Sequence, residues 1–447
     1  MRRYCRCVRI LALMLLLLVV FSGCMGARSP DEYGYALLIG IDKGKTKPYF
    51  VSMLLQRGNG DKQSSEGAMA ALVGVECDDL FEAVEVAESG LPFSLSLART
   101  TAIVFSQDVA RGPLLEQFLA ASLGSLHIRY FANLIVSGGR AEDYLSGMQS
   151  EINPNIAKIQ YNFIEYKEKT GMIPAITLTE FYDRAWGEAG DVVLPLGGFE
   201  KRDTGGEEEQ AKAGEKGEEG QGDPMKAGGN EDSTKAEGEK EEKEKSEQKK
   251  NEPEPLLVDA LGAVEDLPGQ TGRLGGLEAG MMGSALFRGT ELKGFLNGPH
   301  TMLLLLGKGD FKNGRIQLKD KNGDNISILL TRKGTPNVRL SLGKEKKAEF
   351  LVSVYASVEQ PAAVAGLDKE KIRQDIEKYL EDGMRQVFLA CQQLGCDSFD
   401  LGEAAVRQFT SAKQWEAYSF RDVYPQIRAE FDVTAFLEYN PTGSRVE

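Results

Sequence analysis

Apolar and polar residues follow different patterns in the two halves of the chain. Residues 34–41 read GYALLIGI, a run typical of a buried strand, and a turn at 42–45 leads to a second strand at 49–56. In the second half, positions 350–358 alternate between apolar and more polar residues, which is the pattern of a sheet with one buried face. The first half therefore predicts a buried hairpin, and the second predicts a half-buried sheet.

Further elements are predicted on both sides of a long polar stretch. In the first half we expect strands at 100–105 and 131–136, and helices at 79–88, 114–123, 141–148 and 178–186. After the polar stretch we expect short strands at 258–264, 285–288, 292–296 and 302–307. The last region should contain strands at 315–319, 326–331, 338–342, 349–358 and 426–439, and a second helix at 403–418.

A long amphipathic helix is the clearest helical pattern in the chain. It should run from Lys369 to Leu394, with Asp368 as its N-cap and Gly395 at its end. Its apolar stripe consists of Ile372, Ile376, Tyr379, Leu380, Met384, Val387, Phe388 and Cys391.

Together these patterns predict an α+β protein with three mixed α/β regions whose sheets are antiparallel or mixed. The predicted boundaries give an N-terminal α/β domain at 24–200, a small β-rich middle domain at 256–308 and a C-terminal α+β domain at 309–447. Residues 1–23 are predicted to be a signal peptide.

Residues 201–255 form a charged insertion rich in Glu, Lys and Gly and almost free of aliphatic or aromatic residues. Such a segment buries too little apolar surface to offset its conformational entropy, so we expect it to be disordered. It is either a solvated insertion between folded parts or an interaction tail.

The N-terminus carries the most specific chemical feature, Cys24. Four arginines within residues 2–9 precede an apolar run at 10–21, and Ser22 and Gly23 stand directly before the cysteine. This is a bacterial lipoprotein signal, in which the Cys24 thiol takes a diacylglyceryl thioether and its α-amine becomes an acylated N-terminus. A transmembrane anchor is the alternative, but the run of twelve residues is short for a span, which needs about 20.

The net charge limits the kinds of partner, and the cysteine content limits the disulfide bonds, that the protein can have. The formal net charge of −14 argues against nucleic acid, which requires a basic face. Besides the acylated cysteine and two in the signal, Cys77, Cys391 and Cys396 remain, an odd number that gives no disulfide framework. Cys391 is either a buried small apolar residue or the partner of Cys396 in a bridge.

No catalytic, cofactor-binding or metal-binding constellation is found in the sequence. Gly44-Lys45-Thr46 lacks the glycine spacing of a phosphate loop, and no G-x-S-x-G motif is present. The two histidines, His127 and His300, are far apart, and no Cys/His cluster has metal-ligand spacing. We therefore expect no enzymatic activity, no cofactor and no metal.

Three groups of motifs follow one another along the chain. The first comprises residues 38–43, 97–110, 177–181 and 193–195. The second is G-S-A-L-F-R-G at 283–289 followed by Leu292, Gly294 and Leu296, which we interpret as a hairpin turning at Gly289. The third comprises Asp397, Phe399, Gly402, Trp415 and residues 420–425. Their shared order resembles the Ger(x)C family of spore germination lipoproteins, with Asp400 where that family has a glycine.

The resemblance implies a lipoprotein C subunit of a nutrient germinant receptor, required for germination in response to nutrients. Such a subunit is held by its acylated cysteine, here Cys24, on the outer face of the spore inner membrane, where it assembles with integral-membrane A and B subunits. The alternatives are a solute-binding lipoprotein of a transporter, with two similar lobes, and an extracytoplasmic hydrolase.

Overall fold

The computed structural model describes residues 33–57, 71–122, 128–149, 165–187, 189–199, 277–319, 325–359 and 368–438, together with Gly323. Within them the chain is α+β, as predicted, and its strands form a nine-stranded and a five-stranded sheet. The signal with Cys24, the insertion at 201–255 and the strand expected at 258–264 lie outside the described residues.

The nine-stranded sheet, called the first sheet, is mixed. Its order is β3-β2-β1-β5-β6-β7-β8-β9, with β4 paired to the start of β1. The steps from β1 to β5, β6 and β7 are parallel and the outer steps are antiparallel. Its strands are β1 (Tyr33–Lys43), β2 (Tyr49–Arg57), β3 (Ala71–Cys77), β4 (Ser94–Ser96), β5 (Ala102–Ser106), β6 (Asn133–Ser137), β7 (Val193–Phe199), β8 (Ala279–Arg288) and β9 (Glu291–Leu296).

Helices cover both faces of the first sheet, which explains its unbroken apolar strands. Leu38 and Ile39 are neighbours in β1, yet both are fully buried, in two different core clusters. The helices are α1 (Leu80–Ser89), α2 (Gln107–Ala110), α3 (Leu114–Ser122), α4 (Ala141–Gly147) and α5 (Leu178–Ala185), and residues 165–170 are helical as well. The α5 helix begins with a capping box between Thr177 and Glu180.

The region expected to be a small β-rich domain contains a hairpin and a helix among its described residues. The β8 and β9 strands form the expected hairpin at Gly289, which has a φ of 60°, but they extend the first sheet through β7. The strand predicted at 302–307 is wrong, because α6 (Gly298–Lys308) occupies this segment. Asn297 caps this helix, Pro299 lies in its first turn and Gly309 ends it with a φ of 95°. The boundary expected near residue 255 stays a prediction.

The five-stranded sheet, called the second sheet, buries one face, as the alternating pattern predicts. Phe350, Val352 and Val354 are buried while their neighbours are partly exposed. The order is β10-β11-β13-β12, and β14 pairs with β13 in parallel. The strands are β10 (Asn313–Lys319), β11 (Asn325–Arg332), β12 (Asn337–Leu342), β13 (Lys346–Val358) and β14 (Arg428–Glu438).

The long helix α7 (Lys369–Gln393) packs on the second sheet together with α6. Its predicted stripe is buried except for Tyr379, which remains 36% exposed, and Asp368 caps it as expected. The single helix expected at 403–418 is instead two, α8 (Leu401–Val406) and α9 (Ala412–Tyr418), because the Ser411 hydroxyl accepts from the Gln414 N–H and starts a new helix. A short α10 (Phe420–Val423) and a 3-10 turn (Tyr424–Gln426) lead into β14.

Aromatic packing fills the space between α7 and the second sheet. The ring of Phe350 stacks on Phe431 at 4.6 Å and meets the rings of Phe388 and Phe399 at 6.2 and 5.6 Å. Each such pair adds about 0.5–1.5 kcal/mol beyond the buried area. The family motif residue Phe399 therefore serves the core of the second sheet.

Candidate functional site

The only site residue predicted from the sequence, Cys24, lies outside the described residues. The described chain begins at Tyr33, which pairs with Ser94 at the start of the first sheet. Acylation of Cys24 therefore stays a prediction. The described residues contain other polar clusters that are candidates for a functional site.

The most elaborate polar cluster joins the two sheets and is called the junction. Asp191, next to the start of β7, is 1% exposed and accepts from the backbone N–H groups of Gly289 and Asp397 at 3.2 and 2.7 Å. The guanidinium of Arg421 lies 3.1 Å from the same carboxylate. The N–H of Asp191 in turn donates to the Asp397 carbonyl. One carboxylate thus ties the first sheet to the segment that follows α7.

Asp397 is the second buried carboxylate of the junction. It accepts from the backbone N–H groups of Leu401 and Gly402 at 3.0 and 2.6 Å, at the start of α8. Burial raises the pKa of Asp397 to about 7, although the Gly402 N–H bond acts in the opposite direction. A side chain at Gly402 would lie 3.1 Å from this carboxylate and from the Ala189 Cα. The motif residues Asp397 and Gly402 therefore form one structural unit.

Asp400 explains why an aspartate can replace the family's glycine in this motif. It has a left-handed φ of 57°, a conformation that glycine adopts freely and aspartate tolerates. Its carboxylate lies 2.7 Å from the Arg184 guanidinium and 2.9 Å from the Lys308 ammonium. Arg184 also lies 3.4 Å from Glu403. The substitution adds ion pairs that connect α5 and α6 to α8.

The junction holds the segments between the two sheets in place, and its geometry does not suggest catalysis. The two buried carboxylates accept from backbone N–H groups of the β8–β9 turn, of the segment after α7 and of the first turn of α8. Sequence reasoning missed Asp191, Arg184, Lys308 and Arg421, because their partners are distant in sequence. The Asp191–Arg421 pair, for example, joins positions 230 residues apart.

Outside the junction, the buried carboxylate of Asp42 explains the first family motif. It is 3% exposed and caps α4 by accepting from the N–H groups of Ala141 and Glu142 at 2.8 and 2.9 Å. Burial raises its pKa. A side chain on Gly40 would lie 3.2 Å from Ala141 Cβ and closer still to Ser52 Oγ, so the glycine permits α4 to approach β1. This motif is also structural.

The three cysteines in the described residues are free and buried, which confirms Cys391 as a buried apolar residue and not a bridge. Burial raises the pKa of Cys77 and of Cys391 to about 12, and raises that of Cys396 as well. Thiols held protonated in apolar surroundings are poor nucleophiles.

The described residues also bear on metal binding and on membrane spans. Among the residues that the structure describes, no three His, Cys, Asp or Glu side chains are grouped so that they could hold a metal ion. His300 lies against its helix cap, with Nδ1 at 2.6 Å from Asn297 Oδ1, and His127 is outside the described ranges. Nor does any described helix combine the length and apolarity needed to cross a membrane.

A cleft of about 390 Å³ lies at one end of the second sheet. Its walls are residues 344–347 with Gln426, Arg428 and Glu430, nearly all of them charged. Small-molecule sites are mostly lined by apolar and aromatic side chains, which this cleft lacks. It is therefore a poor candidate for a binding pocket.

Two family models match the chain and cover both sheets. The model of the spore germination protein N-terminal domain matches residues 26–198, and that of the spore germination B3/GerAC-like C-terminal domain matches residues 282–440. These two matches identify the chain as a spore germination protein, of a class that is not a known enzyme family. The chain belongs to the Ger(x)C family, as the motif order in the sequence predicts.

The remaining comparisons add little. A crystal structure of the GerBC protein is similar to 89% of this chain and 96% of its own, with 13% identity and a TM-score of 0.48. The comparison with curated proteins gives no match. The two family models leave residues 199–281 uncovered, and the predicted charged insertion at 201–255 falls within that interval.

Proposed function

We propose that this protein is the lipid-anchored C subunit of a nutrient germinant receptor, required for germination in response to nutrients. The observation that carries the proposal is the match to both spore germination family models over most of the chain. The buried positions of Asp42, Asp397 and Gly402 agree with it, since the family motifs maintain the fold instead of forming an active site.

The anchor is a thioether-linked diacylglyceryl group on Cys24, with a further acyl chain on its α-amine. Each buried methylene contributes about 0.8 kcal/mol, so two or three chains hold a protein stably on a bilayer. The remainder of the protein then lies in water on the outer face of the spore inner membrane.

The partners in this proposal are the integral-membrane A and B subunits, which would bind germinant and carry the signal. A transporter's solute-binding lipoprotein would instead have two alike lobes, whereas the two sheets here have nine and five strands. We infer a role in assembly at the membrane, without cofactor, metal or nucleic acid.

The test is deletion of the gene followed by germination of the spores on single nutrients. We expect the response to at least one nutrient to be lost and to return when the intact gene is restored. Normal responses to every nutrient would contradict the proposed receptor role. Affinity purification from membranes should also recover two multi-spanning proteins, and recovery of an ATPase and a permease instead would favour a transporter.

A further inference from the structure

One short turn presents two aromatic side chains to solvent. Tyr130 is 66% exposed and Phe131 is 79% exposed, which makes Phe131 the most exposed large apolar side chain among the described residues. The sequence pattern places Phe131 within a strand, but β6 begins only at Asn133. Arg129, at the start of the turn, is exposed as well. We call residues 129–131 the aromatic tip.

The backbone of the aromatic tip is held firmly although its side chains face outward. The Ala132 N–H donates to the Arg129 carbonyl at 2.9 Å and closes the turn. Both the N–H and the hydroxyl of Thr179 donate to the Tyr130 carbonyl, at 3.2 and 3.1 Å. The Leu178 N–H donates to the Ala132 carbonyl at 2.9 Å. The start of α5 thus fixes the tip, and the aromatic exposure is built into the fold.

The aromatic tip lies at the end of the first sheet where the chain enters it. In the parallel steps, Ala102 of β5 lies beside Leu38 of β1 and Asn133 of β6, so the tip and Tyr33 are both at the amino ends of these strands. Tyr33 follows Cys24 by nine residues. Nine residues reach at most about 30 Å, so an acylated Cys24 keeps this end of the sheet close to the bilayer.

The side chains at this end suit the interface of an anionic membrane. Tyrosine and other amphipathic aromatic rings favour the headgroup level of bilayers, and arginine is attracted to anionic headgroups. Arg99 is exposed at the same end, with its guanidinium 3.9 Å from the centre of the Tyr35 ring. Arg99 and Arg129 thus place two positive charges at this end of a protein whose formal net charge is −14.

We propose that the aromatic tip inserts into the headgroup region of an anionic bilayer and fixes the orientation of the first sheet on the membrane. The proposal rests on the anchor at Cys24 from the proposed function. A lipid anchor at one point permits many orientations of the protein, whereas a second contact from a hydrogen-bonded turn selects one orientation. In that orientation the β1–β2 turn, at the other end of the sheet, points away from the bilayer.

The test uses the full-length acylated protein in vesicles of phosphatidylcholine and phosphatidylglycerol. In the Phe131→Cys variant the new thiol is labelled with an environment-sensitive fluorophore. The native cysteines do not compete, because Cys77, Cys391 and Cys396 are buried. The matched control is Lys45→Cys, an exposed position in the β1–β2 turn. Nitroxide-bearing lipids in the bilayer then report proximity to each label.

We expect the label at residue 131 to brighten severalfold, shift to the blue and be quenched by the nitroxide lipids, while the label at 45 stays unchanged. Arg129→Glu should reduce the shift in anionic vesicles but not in vesicles of phosphatidylcholine alone. Vesicle-bound protein with a water-like signal at 131 would overturn the insertion and leave the anchor intact. Protein that does not bind vesicles at all would instead refute the anchor. A signal at 131 that changes only when the membrane subunits are present would make the tip a protein contact and also overturn the proposal.

Discussion

The first sheet is covered by helices on both faces, whereas the second sheet buries only one face. Strand β1 shows the first case, because consecutive residues such as Leu38 and Ile39 are both fully buried. Strand β13 shows the second, because Val352 is 2% exposed while Leu351 on the other face is partly exposed. Parallel strands need crossover connections, and those of the first sheet place helices on both faces. In the second sheet the other steps are antiparallel, and the connection between the parallel strands β13 and β14 places α7 on one face.

The second sheet also has an edge strand whose outer N–H groups are bonded by a helix. The β14 strand is at an edge of the second sheet, where unpaired N–H groups would invite association with another strand. Here the N–H groups of Val433 and Ala435 donate to the carboxylates of Glu381 and Glu377 on α7, at 3.1 and 3.0 Å. Side chains of a helix thus occupy an edge with which no strand among the described residues pairs. The second sheet therefore depends on α7 for both its core and its edge.

The largest effect should come from neighbouring core substitutions in β1 and β13. Leu38→Ala and Ile39→Ala should each lower the free energy of unfolding by about 2–5 kcal/mol, because both faces of β1 are packed. In β13, Val352→Ala should cost about 2 kcal/mol and Leu351→Ala about 1 kcal/mol. Urea unfolding followed by far-UV circular dichroism measures the four values. Equal costs at 351 and 352 would contradict the one-sided burial.

The junction predicts that the two unlike sheets unfold together. Asp191→Ala removes the acceptor of two backbone N–H groups and of Arg421, which should cost about 3 kcal/mol. We expect the single calorimetric transition of the wild type to separate into two. Asp191→Asn is the control, since it retains an acceptor, and it should cost less. A variant that still unfolds in one unshifted transition would show that the junction does not couple the sheets.

At the edge strand β14 we expect a smaller loss of stability, which does not depend on the charge of residue 381. Glu381→Leu should cost about 1–3 kcal/mol, because the Val433 N–H loses its acceptor at the edge of β14. Glu381→Gln keeps a carbonyl acceptor and should be near neutral. Light scattering on warming should also show earlier aggregation for the leucine variant. Identical behaviour of the two variants would mean that the bond to the edge contributes nothing.

The last effect concerns pH. The pKa of Asp397 is raised from 3.8 to about 7, so the folded protein binds this proton more tightly than the unfolded chain. Stability should therefore fall as pH rises from about 4 through about 7, by linkage. Thermal unfolding should give a Tm for the wild type that decreases over this window relative to Asp397→Asn, which cannot titrate. Parallel Tm profiles for the two proteins would contradict the raised pKa.

Periodicity predicted most of the fold, and its failures have physical causes. The half-buried strands β13 and β14 and the helix α7 follow from alternating or helical spacing that tertiary contacts do not override. The Met302-to-Leu306 run is apolar at every position, so its period is uninformative, and every residue of the run is buried in α6. The helix signs were present, with Asn297 as a cap and Pro299 in the first turn, but the short run suggested a strand.

The functional residues also differ in whether a local sequence pattern indicates them. The prediction at Cys24 depends on its neighbouring residues and remains untested, and the motif at Asp397 is local enough to resemble that of the Ger(x)C family. The pairing of β8 with β7 and the ion pairs of Asp400 with Arg184 and Lys308 join distant segments, and no local pattern encodes them. Phe131 was assigned to a strand for its hydrophobicity, whereas its exposure follows from a turn closed between Arg129 and Ala132.

The central claim, a lipid anchor on a germination receptor subunit, is tested most directly by mass spectrometry of the N-terminal peptide from spore membranes. The account predicts a peptide that begins at Cys24 and carries a diacylglyceryl thioether, with Cys24→Ala releasing the protein from the membrane fraction and abolishing the nutrient response. An unmodified Cys24 in membrane-bound protein, or a mature chain that begins elsewhere, would contradict it.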